Sequence, residues 1–222
     1  MRERKAGHIE ARRGRFGLQE DGRGWGGRVW GLALAALLAA GANAAAQQER
    51  ASSTVLVAYY SRTGSTEAMA RAAADGAAEV EGVVVRLERM EDVTPEDVEG
   101  AGGIILAAPT HWANLPAEAT ALLNRLPFLD GKPAGVVSTG GNPGGGNEHV
   151  LFSLMGGILN HGGMILGPVY ERPDGSRFGT LGASAVTGPA DPGVSDFERD
   201  MARRLGRRVG RAAGGAGCPR PH

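Results

Sequence analysis

The chain has 222 residues, room for one α/β domain with extensions, and its 24 basic and 24 acidic side chains leave it formally neutral. The charge is segregated: residues 47–198 hold 9 Lys and Arg against 19 Asp and Glu, a net of −10, while residues 1–46 and 199–222 are both basic. An acidic globule argues against nucleic acid as the main partner, and a single cysteine, Cys218, leaves no intrachain disulfide.

Residues 1–46 read as a leader. Residues 29–46, VWGLALAALLAAGANAAA, are small and apolar, and Arg-rich sequence precedes them. The core, Leu32 to Ala40, is short for a bilayer span. Ala44-Ala45-Ala46 forms an A-x-A cleavage pattern, as in a signal peptide. An uncleaved anchor and mis-assigned upstream sequence are the alternatives. Arg12-Arg13-Gly14-Arg15-Phe16 is similar to a twin-arginine signal, with Phe16 one place late. A cleaved leader implies export to the periplasm or a membrane edge; without one the protein would be cytoplasmic. Residues 47–212 form the domain, and residues 213–222, rich in Gly and Pro, read as a disordered tail.

Within the domain, Thr54 to Tyr59 is apolar or β-branched with no helical period, which predicts a strand buried on both faces. Ser61-Arg62-Thr63-Gly64-Ser65-Thr66 follows, and a helix runs on to Val80 with Met69, Ala73, Gly76, Ala77 and Val80 on one face. Val83 to Leu87 is the second strand. Thr94-Pro95-Glu96-Asp97 starts a short helix, with Thr94 as N-cap and Pro95 at the first position. Gly103 to Ala108 is the third strand, and PTHWANLP, Pro109 to Pro116, leaves its end. The next helix presents Ala119, Leu122, Leu123 and Leu126. Lys132 to Thr139 is the fourth strand, running into GGNPGGGNE, Gly140 to Glu148.

Val150, Leu151, Leu154 and Ile158 mark another helix, weakened by Gly156 and Gly157 at about 1 kcal/mol each. Met164 to Leu166 begins the fifth strand. Arg172-Pro173-Asp174-Gly175 is a turn, after which Ala183 to Thr187 returns to the sheet. Ser195 to Glu198 is a capping box. The last helix is expected to bury Phe197, Met201, Leu205 and Val209, and to turn Arg203, Arg204, Arg207, Arg208 and Arg211 outward. Five βα units with right-handed crossovers place helices on both faces of a parallel sheet. The loops after strands one, three and four then share one edge.

Those loops carry the chemistry. A strand, a hydroxyl-rich turn with one glycine and a helix N-terminus form an anion site. Ser61, Thr63, Ser65 and Thr66 add hydroxyls, and Gly64 lets the backbone approach. No Lys follows Gly64, so this is not a nucleoside-triphosphate loop. A serine-rich turn that merely caps a helix is the plain alternative. Trp112 offers a flat face or edge to a ring, and the amides of Thr110 to Ala113 are candidate ring contacts. The glycines after Thr139 allow N–H groups close access to a ring. No triad, metal cluster or pair of carboxylates stands out, and His149 and His161 are isolated.

SRTGST resembles the phosphate loop of flavodoxins, which bind flavin mononucleotide (FMN). More widely, VLVAYYSRTGSTEAMARA, APTHWANLPA, the Gly144 to Glu148 loop, LNHGGM at 159–164 and LGASAVTG at 181–188 resemble the flavodoxin-like NAD(P)H:quinone oxidoreductases of the WrbA type over roughly residues 53–210. The resemblance implies a doubly wound five-stranded sheet of order 2-1-3-4-5, the flavodoxin example of the switch-point rule. It implies FMN as cofactor, NADH or NADPH as donor, a quinone as acceptor, and a homo-oligomer, dimer or tetramer. It places the phosphate on Ser61, Arg62, Thr63, Gly64, Ser65 and Thr66. The ring falls on Pro109, Thr110, His111, Trp112 and Ala113, and on Thr139, Gly140 and Gly141. His111 is the candidate for the substrate side.

The sequence differs from the family pattern at His111-Trp112, at His161-Gly162, at Pro143 and in having no insert after the second strand. A flavodoxin-type electron carrier, docking its acidic surface on a redox partner protein, is the alternative. Against the carrier stand the long Gly-rich loop and the lack of the insert typical of long-chain carriers.

Overall fold

The computed structural model describes residues 52–171, 174–188 and 193–215, all within one compact unit, residues 49–222. The leader at 1–46, Cys218, and Arg172 and Pro173 of the expected turn lie outside the described residues. The elements run β1 Ser53–Tyr59, α1 Ser65–Ala78, β2 Val83–Arg89, α2 Pro95–Gly100, β3 Gly103–Pro109, α3 Ala117–Arg125, β4 Pro133–Gly140 and α4 Asn147–Asn160. The chain continues through β5 Met164–Ile165, β6 Val169–Glu171, β7 Arg177–Gly179, β8 Ala183–Val186 and α5 Asp196–Ala213.

The main sheet is parallel, in the order β2-β1-β3-β4-β5. The middles of its central strands are apolar because both faces are covered, while β4 ends in the buried hydroxyls of Ser138 and Thr139. Along β1, Leu56 and Ala58 face the core that β3 and β4 share with α3 and α4, with Leu122, Val150, Leu154 and Ile158. Val55 and Val57 face the other core, formed with Met69, Ala73 and Ala77 of α1 and Met201, Leu205 and Val209 of α5. Each fully buried Leu or Ile contributes roughly 1.5–3 kcal/mol, so these two layers hold the sheet edge that carries the loops.

The fifth position is split. β5 pairs with the start of β4, through Pro133↔Met164 and Ala134↔Ile165, and β8 pairs with its end, from Val137↔Ala183 to Gly140↔Val186. The antiparallel hairpin β6–β7 is inserted between them. No insert follows β2, where α2 starts at Pro95; the inserted segment lies within the fifth strand instead. The hairpin is fixed by an aromatic stack: Tyr170 lies 4.7 Å from Phe178 and 5.7 Å from Phe197, with Arg204 over its ring. Phe197 is therefore not in the core. It is 59% exposed, one face on Tyr170 and the other toward solvent. Burial and the nearby carboxylate of Asp200 push the Tyr170 phenol well above its usual range.

Both expected caps form. Thr94 and Asp97, and Ser195 and Glu198, exchange reciprocal side-chain and backbone bonds. Helices α1 and α5 meet backbone to backbone, because a Cβ on Gly76 would lie 1.9 Å from Arg203 O and one on Gly206 1.8 Å from Ala73 O. The arginines of α5 do not all face solvent alone. Arg203 pairs with Asp75 and Glu79 at 3.5 and 3.3 Å, Arg207 with Glu79, and Arg204 with Asp200. Such exposed pairs add little stability each, but they neutralise much of that face.

Candidate functional site

Helix α1 begins at Gly64, which takes φ 98° and makes no side-chain cap. A side chain there would be strained, so glycine is what permits the sharp entry. Gly64 N–H donates to Ser61 Oγ at 3.1 Å, and Ala68 N–H is the first in the helix to find a backbone acceptor, Gly64 O. Among the described residues, the N–H groups of Ser65, Thr66 and Glu67 have no backbone acceptor. They point out of a four-turn helix with the positive end of its dipole behind them. Ser61 shapes this loop from within. Thr66 is buried, and its hydroxyl meets that of Thr139 at 2.7 Å.

The hairpin after β3 is tighter than the sequence implied. His111 and Asn114 exchange both backbone bonds, at 3.0 and 2.9 Å, around Trp112 and Ala113. Both turn residues have positive φ, 53° and 62°. That pair of conformations defines a type I′ turn, which ordinarily takes Asn-Gly; here a tryptophan and an alanine hold it under strain. The tip rests on the loop after β4, for a Cβ on Gly146, at φ 103°, would lie 2.6 Å from Ala113 Cα. Two of the four expected ring amides are spent inside the protein: Thr110 N–H on Thr139 O and His111 N–H on Asn114 O. Only the N–H groups of Trp112 and Ala113 have no backbone acceptor among the described residues of this turn. Trp112 is 97% exposed, and its indole does not close over the cleft.

His111 is half-buried, its ring edge-on to Tyr60 at 6.0 Å. The Tyr60 phenol is pushed up by its hydrogen bond to Glu118, then by burial. A rigid aromatic thus flanks the histidine.

The three loops meet in one cleft of about 400 Å³, lined by Arg62, Thr63, Ser65, Thr66, Pro109, Thr110, His111, Thr139, Gly140 and Gly141, with Thr187 and Gly188 after β8. Ten of the residues singled out in the sequence line it; Ser61, Gly64, Trp112 and Ala113 shape its rim from behind or beside. Sequence reasoning missed Thr187 and Gly188, although the LGASAVTG match contained them. It also missed the part played by Asn147, buried below the floor, although the Gly144 to Glu148 match contained it. His161 is at the far end of α4, its Nδ1 at 2.7 Å from Gly157 O, away from the cleft.

The cleft fits an aryl phosphomonoester. Its size is that of a small-molecule pocket, one wall carries unpaired amides, two hydroxyls and Arg62, and the other is glycine backbone open to a flat ring. A second cavity, between α1 and α5, is lined by Arg71, Arg199 and Arg203 and by Asp75, Asp196 and Asp200. Its charges already pair with one another or with Glu67, Glu79 and Arg204.

Comparison with known proteins agrees with this geometry. A flavodoxin from Aquifex aeolicus is 36% identical over 118 residues, 51% of this chain and 64% of that protein, so the chain spans less than two thirds of its length. An NAD(P)H dehydrogenase (quinone) from Solidesulfovibrio magneticus is 28% identical, over 67% of this chain and 92% of that one. Among solved structures, a flavodoxin from the domain Archaea (TM-score 0.57, 18% identity, 72% of this chain and 98% of that chain) shares the fold. So does a WrbA-like flavodoxin from Agrobacterium tumefaciens (TM-score 0.54, 22% identity, 72% and 97%). Residues 52–170, more than half of the chain, match the family model of the NADPH-dependent FMN reductases, and the chain belongs to that flavodoxin-like family.

Proposed function

We propose that this protein is an FMN oxidoreductase that passes two electrons from NADH or NADPH to a quinone or a similar acceptor. The observation that carries the reading is the single cleft in which the uncapped N-terminus of α1, the Thr110–His111 segment and the Gly140–Gly141 backbone face one another. Thr63, Ser65 and the amides of Ser65 to Glu67 hold the phosphate, with Arg62 as its cation. Pro109 to His111 and Thr139 to Gly141 hold the ring. Hydride and electron transfer are the flavin's chemistry when it is bound. The chain's own part is to seat it beside an open face, where His111, stiffened by Tyr60, offers a hydrogen bond to a substrate oxygen. The acidic surface disfavours a reduced, anionic flavin, and backbone amides at the ring edge oppose that effect.

The test is the visible spectrum of the purified protein with and without NAD(P)H, followed by addition of a soluble quinone. A yellow protein that bleaches with NAD(P)H and recovers with quinone supports the reading; a colourless protein that takes up no added FMN refutes it. A second reading, an electron carrier with no substrate of its own, is favoured by the match to the Aquifex flavodoxin and by the acids at the helix N-termini, Glu67, Glu118, Glu148, Asp196 and Glu198. These lie on the cleft edge, where a basic partner would dock. A bound flavin that oxidises NAD(P)H too slowly to turn over selects the carrier. The leader, if cleaved as read, places either activity outside the cytoplasm.

A further inference from the structure

A buried polar chain of uncharged groups runs beneath the ring-side loops. Asn147, the first residue of α4, is 5% exposed. Its Nδ2 donates to Ala185 O at 3.1 Å, and its Oδ1 accepts from Thr110 Oγ1 at 2.7 Å. A backbone carbonyl only accepts, so the amide nitrogen must face Ala185 and the orientation of Asn147 is fixed. The Thr110 hydroxyl has one proton and spends it on Asn147. In its 3.2 Å contact with Ser138 Oγ, Thr110 is therefore the acceptor. The chain has a direction: Ser138 to Thr110 to Asn147 to Ala185. It links the ends of β4, β3 and β8 through the start of α4, and Gly140 leaves the room, since a Cβ there would lie 2.2 Å from Asn147 Oδ1.

We propose that Asn147 is a positioning residue, which sets the three ring-side loops in one register and makes Thr110 a pure hydrogen-bond acceptor toward the cleft. The inference rests on the FMN reading above. The N–H of Thr110 is spent on Thr139 O and its hydroxyl proton on Asn147, so only a lone pair of Oγ1 remains for a ligand. That lone pair complements an N–H and repels a carbonyl. The pyrimidine edge of an isoalloxazine carries one N–H between two carbonyls, so a single acceptor fixes where along the edge the ring sits. Asn147 never touches the flavin; it acts by dictating what Thr110 presents.

Asn147→Asp tests this in the intact flavoprotein. A protonated carboxyl reproduces the donor and acceptor of the amide, whereas a carboxylate has no donor for Ala185 O. Burial against that carbonyl raises the carboxyl's titration above its usual range. At about pH 8 the variant should bind FMN about tenfold more weakly than wild type, and the visible circular dichroism of the residual bound flavin should weaken. At about pH 5 both should return to within about threefold of wild type. Asn147→Leu should lose the same affinity at both pH values.

Arg62 and His111 line the cleft, Glu148 and His149 follow Asn147 on α4, and Glu198 accepts from Val186 N–H beside Ala185. All are present in wild type, whose FMN affinity at the two pH values sets the baseline. Wild-type protein that binds no FMN overturns the flavin reading. Wild type that binds FMN, with Asn147→Asp either equal to it throughout or weakened without recovery at low pH, overturns the positioning role alone. Should Asn147→Asp not fold at high pH, Thr110→Val breaks the chain at its middle and spares the Asn147–Ala185 bond. It should weaken FMN about fivefold with little change in apoprotein melting; unchanged affinity overturns the proposal.

Discussion

Thr66 and Thr139 meet hydroxyl to hydroxyl at 2.7 Å, 73 positions apart in the chain and 2% and 3% exposed. The contact ties the first turn of α1, on the phosphate side of the cleft, to the end of β4, on the ring side. It also changes what Thr66 can do. Its hydroxyl is a structural link as well as a candidate phosphate donor, whereas Thr63 is exposed and has only the ligand to serve. Thr66→Val leaves the Thr139 hydroxyl buried without its partner and should cost the apoprotein about 1–3 kcal/mol. Thr63→Ala should leave apoprotein stability unchanged. Together, Thr63→Ala and Thr66→Ala should weaken FMN by at least about tenfold, since each bond to a charged acceptor contributes roughly 1.5–3 kcal/mol. Titrating apoprotein with FMN and with riboflavin checks the assignment; equal affinity for the two would remove the phosphate from this loop.

Gly206 and Gly76 give a second prediction, on stability alone. At both, a Cβ would meet the backbone oxygen of the opposing helix, at 1.8 and 1.9 Å. Backbone cannot rotate away as a side chain can, so α1 and α5 must separate. Gly206→Ala should destabilise the protein by about 1–3 kcal/mol or more, despite alanine's better helix propensity. An unchanged or raised melting temperature would show that the two helices are not in contact there.

Glu198 sets a pH dependence. Burial acts to raise its pKa, but hydrogen bonds from Ser195 and from Val186 N–H outweigh burial and hold it below the usual 4.5. A folded pKa lower than the unfolded one means stability that is present above the unfolded value and lost as pH falls through the folded value. The capping box of α5 and its tie to β8 should therefore weaken below about pH 4.5. Glu198→Gln should destabilise the protein at neutral pH and flatten its acid unfolding curve. A variant that unfolds with the same acid midpoint and slope as wild type would exclude this origin.

What was legible in the sequence follows from how local each signal is. β1, β3 and β4 announce themselves because both their faces are covered, so every residue from Val55 to Ala58 is apolar. The two helix starts, each within four residues, were legible because their signals are local: Ser195 to Glu198 as a capping box, and Thr94 as an N-cap whose partner Asp97 completes a second box. Phe197 was misread because helical period puts it in line with Met201 and Leu205, and period says nothing of where the helix overhangs its sheet. The partner that explains its exposure, Tyr170, lies on an inserted hairpin. The role of Asn147 was invisible for the same reason: its partners Thr110 and Ala185 are 37 and 38 positions away. The amides of Thr110 and His111 looked free because a short loop of this composition gives no hint that it will close into a hairpin.

Trp112 is the residue on which the ring-side picture can be overturned most simply. It stands 97% exposed at the tip of a turn where both central residues have positive φ, and its carbonyl accepts from Asn114 Nδ2 at 3.0 Å. A large indole in a left-handed conformation costs of order 1–3 kcal/mol, and here it gains nothing from packing within the described chain. Trp112→Gly should therefore raise the melting temperature of the apoprotein, and it weakens FMN as well only where the indole reaches the bound ring. Trp112→Ala, which keeps most of the strain, separates the two effects. If the indole covers the ring edge, the loss of an aromatic contact of about 0.5–1.5 kcal/mol beyond burial weakens FMN roughly three- to tenfold, and the emission of bound flavin rises as its quencher is removed. His111→Ala should affect FMN less and quinone turnover more. Should Trp112→Ala alter neither flavin affinity nor emission, the indole does not touch the cofactor. The ring would then be held by the Thr139 to Gly146 backbone, and an exposed tryptophan amid acidic helix N-termini would favour the carrier, with Trp112 as the apolar centre of the surface that meets its partner.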